Sequence, residues 1–556
     1  MNKSRVRLIP LGGTTDVTKN MYVYELYSEN RLQDIIIVDC GIGFPREQQP
    51  GIDLVIPDIT YLKDKLSYIR AILLTHGHED HISALPYHYK DLGSPQVYAS
   101  KLTAHFVQKK FEESANRVKV TIVNYQQIYR FGGFEAKFIP LTHSIPDPAH
   151  IVIKTKAGTF YHGADFKFDL SPPYGPPPDF YAIAKAGADG VTCLMSDCLG
   201  SEREGTTLSE RVIGETFEEH IRRTKGKFIM TTFSSNISRI RQATEAAVKF
   251  GRKVCFLGRS MKQNTDVAKD IGYLPLQKKN QIQEHQIAKF PPSKICLVVA
   301  GSQGQFGSAL SKVSMGRHQF VKISKGDKVL FSSDPIPGNE QRQSDVIESL
   351  ILQGADVVYT SIEEQLHTSG HGNQEELKLL MRLVKSKYLF PIGGTVKHQR
   401  QYAKLARSMG YNDNQMYLLK DGQTLWFEGG RARIGETVPV KNVYVDAYGV
   451  GDVGNIILRD REKLGKEGVV TVALVVNGES KLVSGPDFLS NGFIHESEYK
   501  QIFGKAKGVI ENILTPSKGK TFSKPNAEKR IISSLGKYFR DATGRRPLVS
   551  VYIAVV

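Results

Sequence analysis

A dense group of histidines and acids, residues 75–81 (THGHEDH), directly follows a short apolar run that predicts a buried strand. Imidazoles and carboxylates crowded at a strand end are costly unless something binds them. Imidazole nitrogen and carboxylate oxygen are the ligands that Zn²⁺ and similar cations prefer. A turn here can direct His76 and His78 at one ion while Asp80 and His81 face a second. The segment therefore predicts a two-ion metal site, with a His-rich surface loop as the alternative.

Two later residues supply what such a site still lacks. His143 follows the strand-like run Ala136–Pro140, and Asp165 follows Thr159–His162. Alone, either residue would be an ordinary loop residue. Together with the first group, His143 completes the ligand set of one ion and Asp165 is placed to bridge both. Two cations about 3.5–4 Å apart can hold the attacking and leaving oxygens of a phosphodiester, so the set indicates phosphodiester hydrolysis.

Composition sets the broad class. The 556 residues include 74 Lys+Arg against 57 Asp+Glu, a formal net charge of +17, with 40% hydrophobic residues. This length predicts three or four domains of about 100–200 residues. The composition excludes bulk disorder and fibrous repeats, and the basic balance favours a polyanionic partner. We expect no signal peptide and no membrane span, and a cytoplasmic protein whose five cysteines are small buried hydrophobes.

The pattern of the chain changes near residue 210. Before it, short apolar runs separated by turns predict strands, and Ser171–Pro178 predicts a rigid proline-rich loop. After it, strand–turn–helix units such as Lys227–Phe250 recur, which predicts an open, mostly parallel sheet with function at the carboxyl ends of its strands. The basic segment from Lys500 onward is interpreted either as a solvated face or as an RNA-contacting surface.

The motifs HGHEDH, HSIPD and GADFKFD, at residues 76–81, 143–147 and 163–169, resemble those of the metallo-β-lactamase fold, and their context resembles the ribonuclease J family. The resemblance covers nearly the whole chain. It implies an α/β protein: a metallo-β-lactamase αββα sandwich (1–210 and 372–440), an inserted β-CASP parallel-sheet α/β domain (211–371), a linker (441–460) and a small C-terminal α/β domain (461–556).

The same resemblance assigns expected roles to individual residues. Small-residue turns after strands expose backbone N–H groups and hydroxyls that can hold phosphate. Asp197 is expected to support a metal-ligand histidine. Asp80 and His371 are the expected catalytic residues, and His371 also belongs to the phosphate set. The expected metal ligands are His76, His78, Asp80, His81, His143 and Asp165. The expected RNA and phosphate residues are Ser235, Asn236, Ser302, His367, Ser369, Gly370 and His371.

The implied function is a metal-dependent ribonuclease that removes nucleotides 5′→3′ from 5′-monophosphorylated RNA and also cuts internally, in RNA processing and decay. The implied cofactors are two divalent ions, Zn²⁺ first, with Mn²⁺ and Mg²⁺ as alternatives. The implied partner is single-stranded RNA. A homodimer or homotetramer is expected, with a hetero-oligomer containing a paralogue as the alternative.

The sequence departs from the family's pattern at three positions. Gly393 stands where a metal-ligand histidine is expected, Thr395 where a glutamate is expected, and Gly200 where an asparagine is usual. His398 lines up with a different histidine of the family. Because the second ion then lacks one protein ligand, we expect a weakened second metal site and reduced ribonuclease activity. The second hypothesis is therefore an RNA-binding, catalytically impaired subunit that partners an active homologue. A small-molecule hydrolase such as a thioesterase is a third, for which the inserted domain has no use.

Overall fold

The computed structural model describes residues 4–46, 48–114, 117–336, 338–446, 449–479, 481–515 and 523–556. It divides into two compact units. One runs up to Phe44 and from Val55 to Val443, and the other comprises Pro45–Leu54 and Tyr444–Val556. No helix among the described residues is long and apolar enough to span a membrane.

The strands are short and mostly buried, as the apolar runs predict. In chain order they are β1 (Ser4–Gly12), β2 (Met21–Ser28), β3 (Arg31–Val38), β4 (Leu54–Ile56), β5 (Ile69–Leu73), β6 (Gln96–Ala99), β7 (Val120–Ile122), β8 (Tyr129–Phe131), β9 (Phe134–Pro140), β10 (Ala149–Thr155), β11 (Gly158–Gly163), β12 (Cys193–Asp197), β13 (Phe228–Thr231), β14 (Lys253–Leu257), β15 (Ile295–Val299), β16 (Lys328–Phe331), β17 (Asp356–Val358), β18 (Tyr388–Ile392), β19 (Gln423–Glu428), β20 (Arg431–Thr437), β21 (Val443–Asp446), β22 (Gly449–Val450), β23 (Val469–Val476), β24 (Leu482–Asn491) and β25 (Leu548–Val555).

The α-helices mostly alternate with these strands. In chain order they are α1 (Glu79–Ile82), α2 (Leu85–His88), α3 (Lys101–Glu113), α4 (Phe180–Ala188), α5 (Arg211–Arg223), α6 (Ile237–Lys249), α7 (Arg259–Asp270), α8 (Ala309–Ser314), α9 (Glu340–Leu352), α10 (Gln374–Val384), α11 (Val396–Ser408), α12 (Asn455–Glu467), α13 (Tyr499–Leu514) and α14 (Lys524–Thr543).

Two mixed sheets pack face to face in the larger unit. The first has the strand order β20-β19-β1-β2-β3-β5-β6-β7, and the second has the order β18-β12-β11-β10-β9-β8. Tyr24 and Ile36 of the first sheet share one apolar core with Phe138 and Phe160 of the second. Helices α4, α10 and α11 cover the outer face of the second sheet, and α3 packs against β6 and β7 of the first. This is the predicted αββα arrangement.

A separate five-stranded sheet lies between β12 and β18 in the chain. Its order is β14-β15-β13-β16-β17, and every pair is parallel. The predicted mostly parallel sheet is thus confirmed, and its strand at Lys253–Leu257 has the predicted bounds. Since parallel strands end at a common edge, the loops after β13, β15 and β16 lie side by side.

The smaller unit contains the three-stranded sheet β24-β23-β25. Its core is built from Val470 and Val472 together with residues of α13 and α14 such as Ile510 and Leu535. In the same unit, Val445 and Asp446 of β21 pair antiparallel with Val450 and Gly449 of β22. The predicted linker 441–460 contains β21, β22 and the first residues of α12. The exact domain boundaries stay a prediction.

Two histidines are fully buried between strands of the second sheet. His150 lies on β10 and His162 on β11. Their Nδ1 atoms lie 3.0 Å from the Tyr161 hydroxyl and 2.9 Å from the Tyr24 hydroxyl. Within the described part of the chain, His162 Nε2 has no hydrogen-bond partner. Burial lowers the pKa of both imidazoles to about 3, so both are neutral in the folded protein.

These two imidazoles should make the protein acid-sensitive. Below pH 6.5 they take up protons in the unfolded chain but not in the folded one, so stability falls as pH falls. Replacing both (His150→Gln with His162→Gln) should reduce the slope of unfolding free energy against pH by about 2.7 kcal/mol per pH unit between about pH 5 and 4. Urea unfolding with a chelator present measures this slope. An unchanged slope would show that the two groups titrate alike in both states.

Candidate metal centre

Four side-chain donors converge on one point at the edges of the two facing sheets. His76 Nε2 lies 3.0 Å from His78 Nδ1, which lies 3.1 Å from His143 Nε2. Asp165 Oδ2 lies 3.8 Å from both His76 Nε2 and His143 Nε2. Donors around a tetrahedral zinc ion, each about 2.0–2.2 Å from the metal, are separated by similar distances. The chemistry and spacing of this set therefore fit a divalent ion.

A second group of donors shares the same carboxylate. His81 Nε2 lies 3.4 Å from Asp165 Oδ2 and 3.6 Å from Asp80 Oδ2. Asp80, His81 and Asp165 all lie within 4.8 Å of one another. The structure thus brings the predicted ligands together in the predicted two groups, with Asp165 common to both. That they hold ions stays a proposal.

The strand order explains why residues far apart in the chain meet here. His76 and His78 lie in the extended loop after β5, and Asp80 and His81 lie in the first turn of α1. Asp165 follows β11 in the other sheet. The loop that carries His143 is joined to the Asp165 loop by reciprocal bonds: the Lys167 N–H donates to the Thr142 carbonyl at 2.8 Å, and the Thr142 hydroxyl donates to the Lys167 carbonyl at 2.6 Å.

The electrostatics of the first group favour neutral imidazoles. Burial lowers the pKa of His76 and His143 well below the ordinary value, and the neighbouring imidazoles lower them further. Burial also lowers the pKa of His78 to about 3. A neutral imidazole offers a lone pair, which is the form that binds a metal ion.

The second group has a different charge pattern. Burial opposes protonation of His81, but Asp165, Asp80 and Asp39 outweigh it and raise the pKa of His81 well above its ordinary value. Burial alone would raise the pKa of Asp165, yet His81 and His371 hold it well below the usual carboxyl range. Burial raises the pKa of Asp80 to about 6. Without a bound ion, imidazolium charge thus balances the carboxylates.

Asp39 is a residue of this cluster that the sequence analysis missed. Its Oδ2 accepts a hydrogen bond from His81 Nδ1 at 2.7 Å and another from the Thr75 hydroxyl at 2.8 Å, while its Oδ1 accepts from the Thr75 N–H at 2.8 Å. This leaves His81 Nε2 directed at Asp165. The sequence did contain a signal for Asp39, because it is an acidic residue directly after the strand β3. Since β3 pairs in parallel with β5, both strands end at the same edge of the sheet, next to the histidines.

His371 and Asp197 form a pair on the other side of Asp165. His371 Nδ1 donates to Asp197 Oδ2 at 2.7 Å, and His371 Nε2 lies 3.9 Å from Asp165 Oδ2. Burial lowers the pKa of His371, but the two carboxylates outweigh it and raise it to about 9. Asp197 was expected to support a metal-ligand histidine, whereas the structure pairs it with the expected catalytic histidine.

The expected phosphate-binding residues lie in two places. The loops after β13 and β15 carry Ser235, Asn236 and Ser302 at one edge of the parallel sheet. Asn236 caps α6 by accepting from the Arg239 N–H at 3.1 Å, and its buried Nδ2 has no partner among the described residues. Ser302 is buried, and its carbonyl accepts from Gln343 Nε2 at 2.8 Å.

The remaining members of that set lie in the segment 367–371, which reaches the metal-ligand cluster. Ser369 Oγ accepts from the His371 N–H at 3.0 Å. The Gly370 carbonyl accepts from His143 Nδ1 at 2.6 Å, so it orients a ligand histidine. A Cβ atom at Gly370 would lie 2.7 Å from His143 Cε1, so only glycine fits this approach. The segment therefore also positions His143.

A buried arginine, which the sequence analysis also missed, holds the start of this segment. Arg239 on α6 is fully buried. It donates to His367 Nδ1 at 2.6 Å, to the Ser332 carbonyl at 2.9 Å and to Glu210 Oε1 at 2.7 Å. It thus ties the parallel-sheet domain to the segment that touches the metal-ligand cluster. A lone arginine in an amphipathic helix gives no local signal of such a role.

The structure shows what lies next to each of the three residues that depart from the family's pattern. Gly393 follows β18 at φ +66°, and a Cβ atom there would lie 3.4 Å from Asp165 Oδ1. The position therefore borders the second donor group but contributes no donor. Thr395 is the N-cap of α11, and its backbone N–H donates a hydrogen bond to His398 Nδ1 at 3.2 Å. A Cβ atom at Gly200 would lie 2.0 Å from the Gly372 carbonyl oxygen, so any side chain there requires the backbone to move.

Comparisons with known proteins agree with this geometry. Family descriptions match four stretches: "Metallo-beta-lactamase superfamily" at residues 15–197, "Ribonuclease J, beta-CASP domain" at 225–350, "Zn-dependent metallo-hydrolase RNA specificity domain" at 355–417 and "Ribonuclease J C-terminal domain" at 456–556. Ribonuclease J2 of Bacillus subtilis is 34% identical over 552 residues, which is 99% of this chain and 98% of the relative. The chain belongs to the ribonuclease J family.

Other relatives support this membership. Ribonuclease J 1 of Streptococcus pyogenes serotype M3 is 35% identical, over 99% of this chain and 97% of the relative. A crystal structure of a protein of unknown function from Enterococcus faecalis V583 has a TM-score of 0.53 at 15% identity and covers 76% of this chain and all of that one. The latter similarity concerns the fold alone. For this ribonuclease J family member, both the resemblance and the fold class are confirmed.

Asp39 gives a direct test of the cluster. Asp39→Asn keeps the size of the side chain but removes the charge that faces His81 Nδ1. The loss of a carboxylate that orients a metal-binding histidine typically weakens metal affinity by about 10–100-fold. We expect that loss at the second group only, measured by titrating metal-free protein with Zn²⁺. Exposed Asp189→Asn is the matched control, and equal affinities in the two variants would contradict the role of Asp39.

Proposed function

We propose that this chain is a metal-dependent 5′→3′ exoribonuclease that acts on 5′-monophosphorylated RNA and also cuts internally. Membership of the ribonuclease J family supports metal-dependent RNA hydrolysis. The observation that carries the proposal is the convergence of four imidazoles on Asp165 Oδ2, at distances of 3.4 to 3.9 Å. This arrangement places nitrogen and oxygen ligands for metal ions at the position where a phosphodiester would be attacked.

The residues around the Asp165 carboxylate would have different roles. His76, His78, His143 and Asp165 would hold one divalent ion, and Asp80, His81 and Asp165 a second. Ions bound there supply charge neutralisation at phosphorus and the activation of water. Asp80, whose side chain is 25% exposed, would accept a hydrogen bond from the attacking water. Asp197 and Asp165 raise the pKa of His371 to about 9, so both of its ring nitrogens carry protons: Nδ1 donates to Asp197, and the Nε2 proton would go to the leaving oxygen.

RNA binding would use the parallel sheet's edge and the segment 367–371. The loops after β13 and β15, which carry Ser235, Asn236 and Ser302, would hold a 5′-phosphate at that edge. Arg239 fixes His367 beside Asp334, whose Oδ2 lies 3.7 Å from His367 Nε2. The net charge of +17 supports a polyanionic substrate. Zn²⁺ is the leading candidate for the three-imidazole group. Oligomeric state and cytoplasmic location stay predictions.

The substrate is tested with RNAs that differ only at the 5′ end. We expect mononucleotide release from 5′-monophosphorylated RNA to exceed release from 5′-hydroxyl RNA. Asp80→Ala should abolish release from both, because it removes a ligand and the contact to the attacking water. Retained release in Asp80→Ala would contradict the proposal. Exposed Asp541→Ala is a control that should behave as the wild type.

His371 should affect chemistry without affecting metal content. General acid catalysis typically contributes about 10²–10⁴-fold to a rate, so we expect His371→Gln to lower the single-turnover cleavage rate by that factor and to flatten its alkaline pH dependence. Bound metal, counted by mass spectrometry, should be unchanged. His285→Gln, at an exposed site outside the cluster, is the control. A wild-type rate in His371→Gln would remove His371 from the catalytic set.

The second candidate function is an RNA-binding, impaired subunit of a hetero-oligomer with an active homologue. The observation that favours it is Gly393, which borders Asp165 without providing a donor. If this candidate is correct, the wild type binds 5′-monophosphorylated RNA but releases no mononucleotides, even when enough metal ions are supplied to fill both positions. A gain of release in Gly393→His would then identify the missing donor as the cause.

A further inference from the structure

The two proposed ion positions differ in the chemistry of their donors. This inference rests on the proposed function and concerns which metal each position takes. The first position is surrounded by three imidazole nitrogens and one carboxylate oxygen, and the second by one imidazole and two carboxylates. Imidazole-rich tetrahedral sites suit Zn²⁺, whereas sites rich in carboxylate and water suit Mg²⁺ and Mn²⁺.

Gly393 has room for a Cβ atom beside the second position. A Cβ atom built there would lie 3.4 Å from Asp165 Oδ1 and 3.7 Å from Asp197 Oδ1, so the space faces two carboxylate oxygens. The nearby His398 does not fill the gap: its Nδ1 accepts from the Thr395 N–H at 3.2 Å, and its Nε2 lies 3.3 Å from Glu202 Oε2. The space is therefore polar and supplies hydrogen-bond acceptors rather than a fourth protein donor.

Such surroundings suit an ion that keeps its own water. Three protein donors leave one position open around a tetrahedral ion but three around an octahedral one. Six-coordinate Mg²⁺ and Mn²⁺ are bound by few carboxylates and retain several waters. Asp165 Oδ1 and Asp197 Oδ1 can accept hydrogen bonds from waters in the space at Gly393. An imidazole at residue 393 would take that space and add a nitrogen donor.

We propose that this chain binds two different metals: Zn²⁺ at His76, His78, His143 and Asp165, and a hydrated six-coordinate ion of the Mn²⁺ class at Asp80, His81 and Asp165. Gly393 selects the second ion by leaving room for its water. The composition of the pair is thus set by a residue that touches neither ion.

Metal content, rather than activity, tests this assignment. Metal-free protein is dialysed against two equivalents of Zn²⁺ with a large molar excess of Mn²⁺, and bound ions are counted by mass spectrometry. Bound Mn²⁺ is also followed by its electron paramagnetic resonance spectrum. The wild type should retain one Zn²⁺ and one Mn²⁺ per chain. Retention of two Zn²⁺ ions by the wild type would overturn the proposal.

Two substitutions at residue 393 separate the effect of an added nitrogen donor from the effect of an added side chain. Gly393→Ala and Gly393→His both place a side chain at positive φ, but only the histidine adds a nitrogen. Gly393→His should tighten Zn²⁺ at the second position by about 10–100-fold and retain two Zn²⁺ ions under the same dialysis. Gly393→Ala should not gain Zn²⁺ there. Equal Zn²⁺ content in the two variants would refute selection by residue 393.

Two ligand variants keep the test valid if Gly393→His fails to fold. His81→Ala should lose the bound Mn²⁺ signal and keep one Zn²⁺, whereas His78→Ala should lose Zn²⁺ and keep Mn²⁺. Loss of the same ion in both variants would overturn the assignment. A wild type that retained neither ion would instead refute the proposed metal-dependent function itself, so the two failures are distinguishable.

Discussion

The carboxylate of Asp165 is the contact on which the site depends. Its Oδ2 lies within 3.9 Å of nitrogens from four histidines: His76, His81, His143 and His371. Without this negative charge, the imidazoles would face one another in a buried space with nothing to balance the positive charge of His81 and His371. The strand order of both sheets serves to bring these five side chains together.

Around this centre, each reactive group is held by a partner of its own. Asp39 orients His81, Asp197 orients His371, and the Gly370 carbonyl orients His143. Such outer contacts fix which nitrogen of an imidazole faces the metal position. Because they are made by backbone and carboxylate groups on strand ends and short loops, the geometry is present before any ligand binds.

The inserted parallel sheet is coupled to the centre through the segment 367–371. Arg239 holds His367 at one end of the segment, and His371 faces Asp165 at the other. A substrate bound at the sheet's edge would therefore contact the same chain segment that carries His371.

The sequence by itself determined the donor types, their placement after strands and the parallel character of the insert, because residues 75–81, His143 and Asp165 each follow an apolar run with a readable period. Only the tertiary structure decided which donor faces which. Asp39 and His81 are 42 residues apart, and His371 and Asp197 are 174 apart. Local periodicity fixes where a strand ends but not which strand lies beside it, and the pairing of side chains at a sheet edge depends on that order.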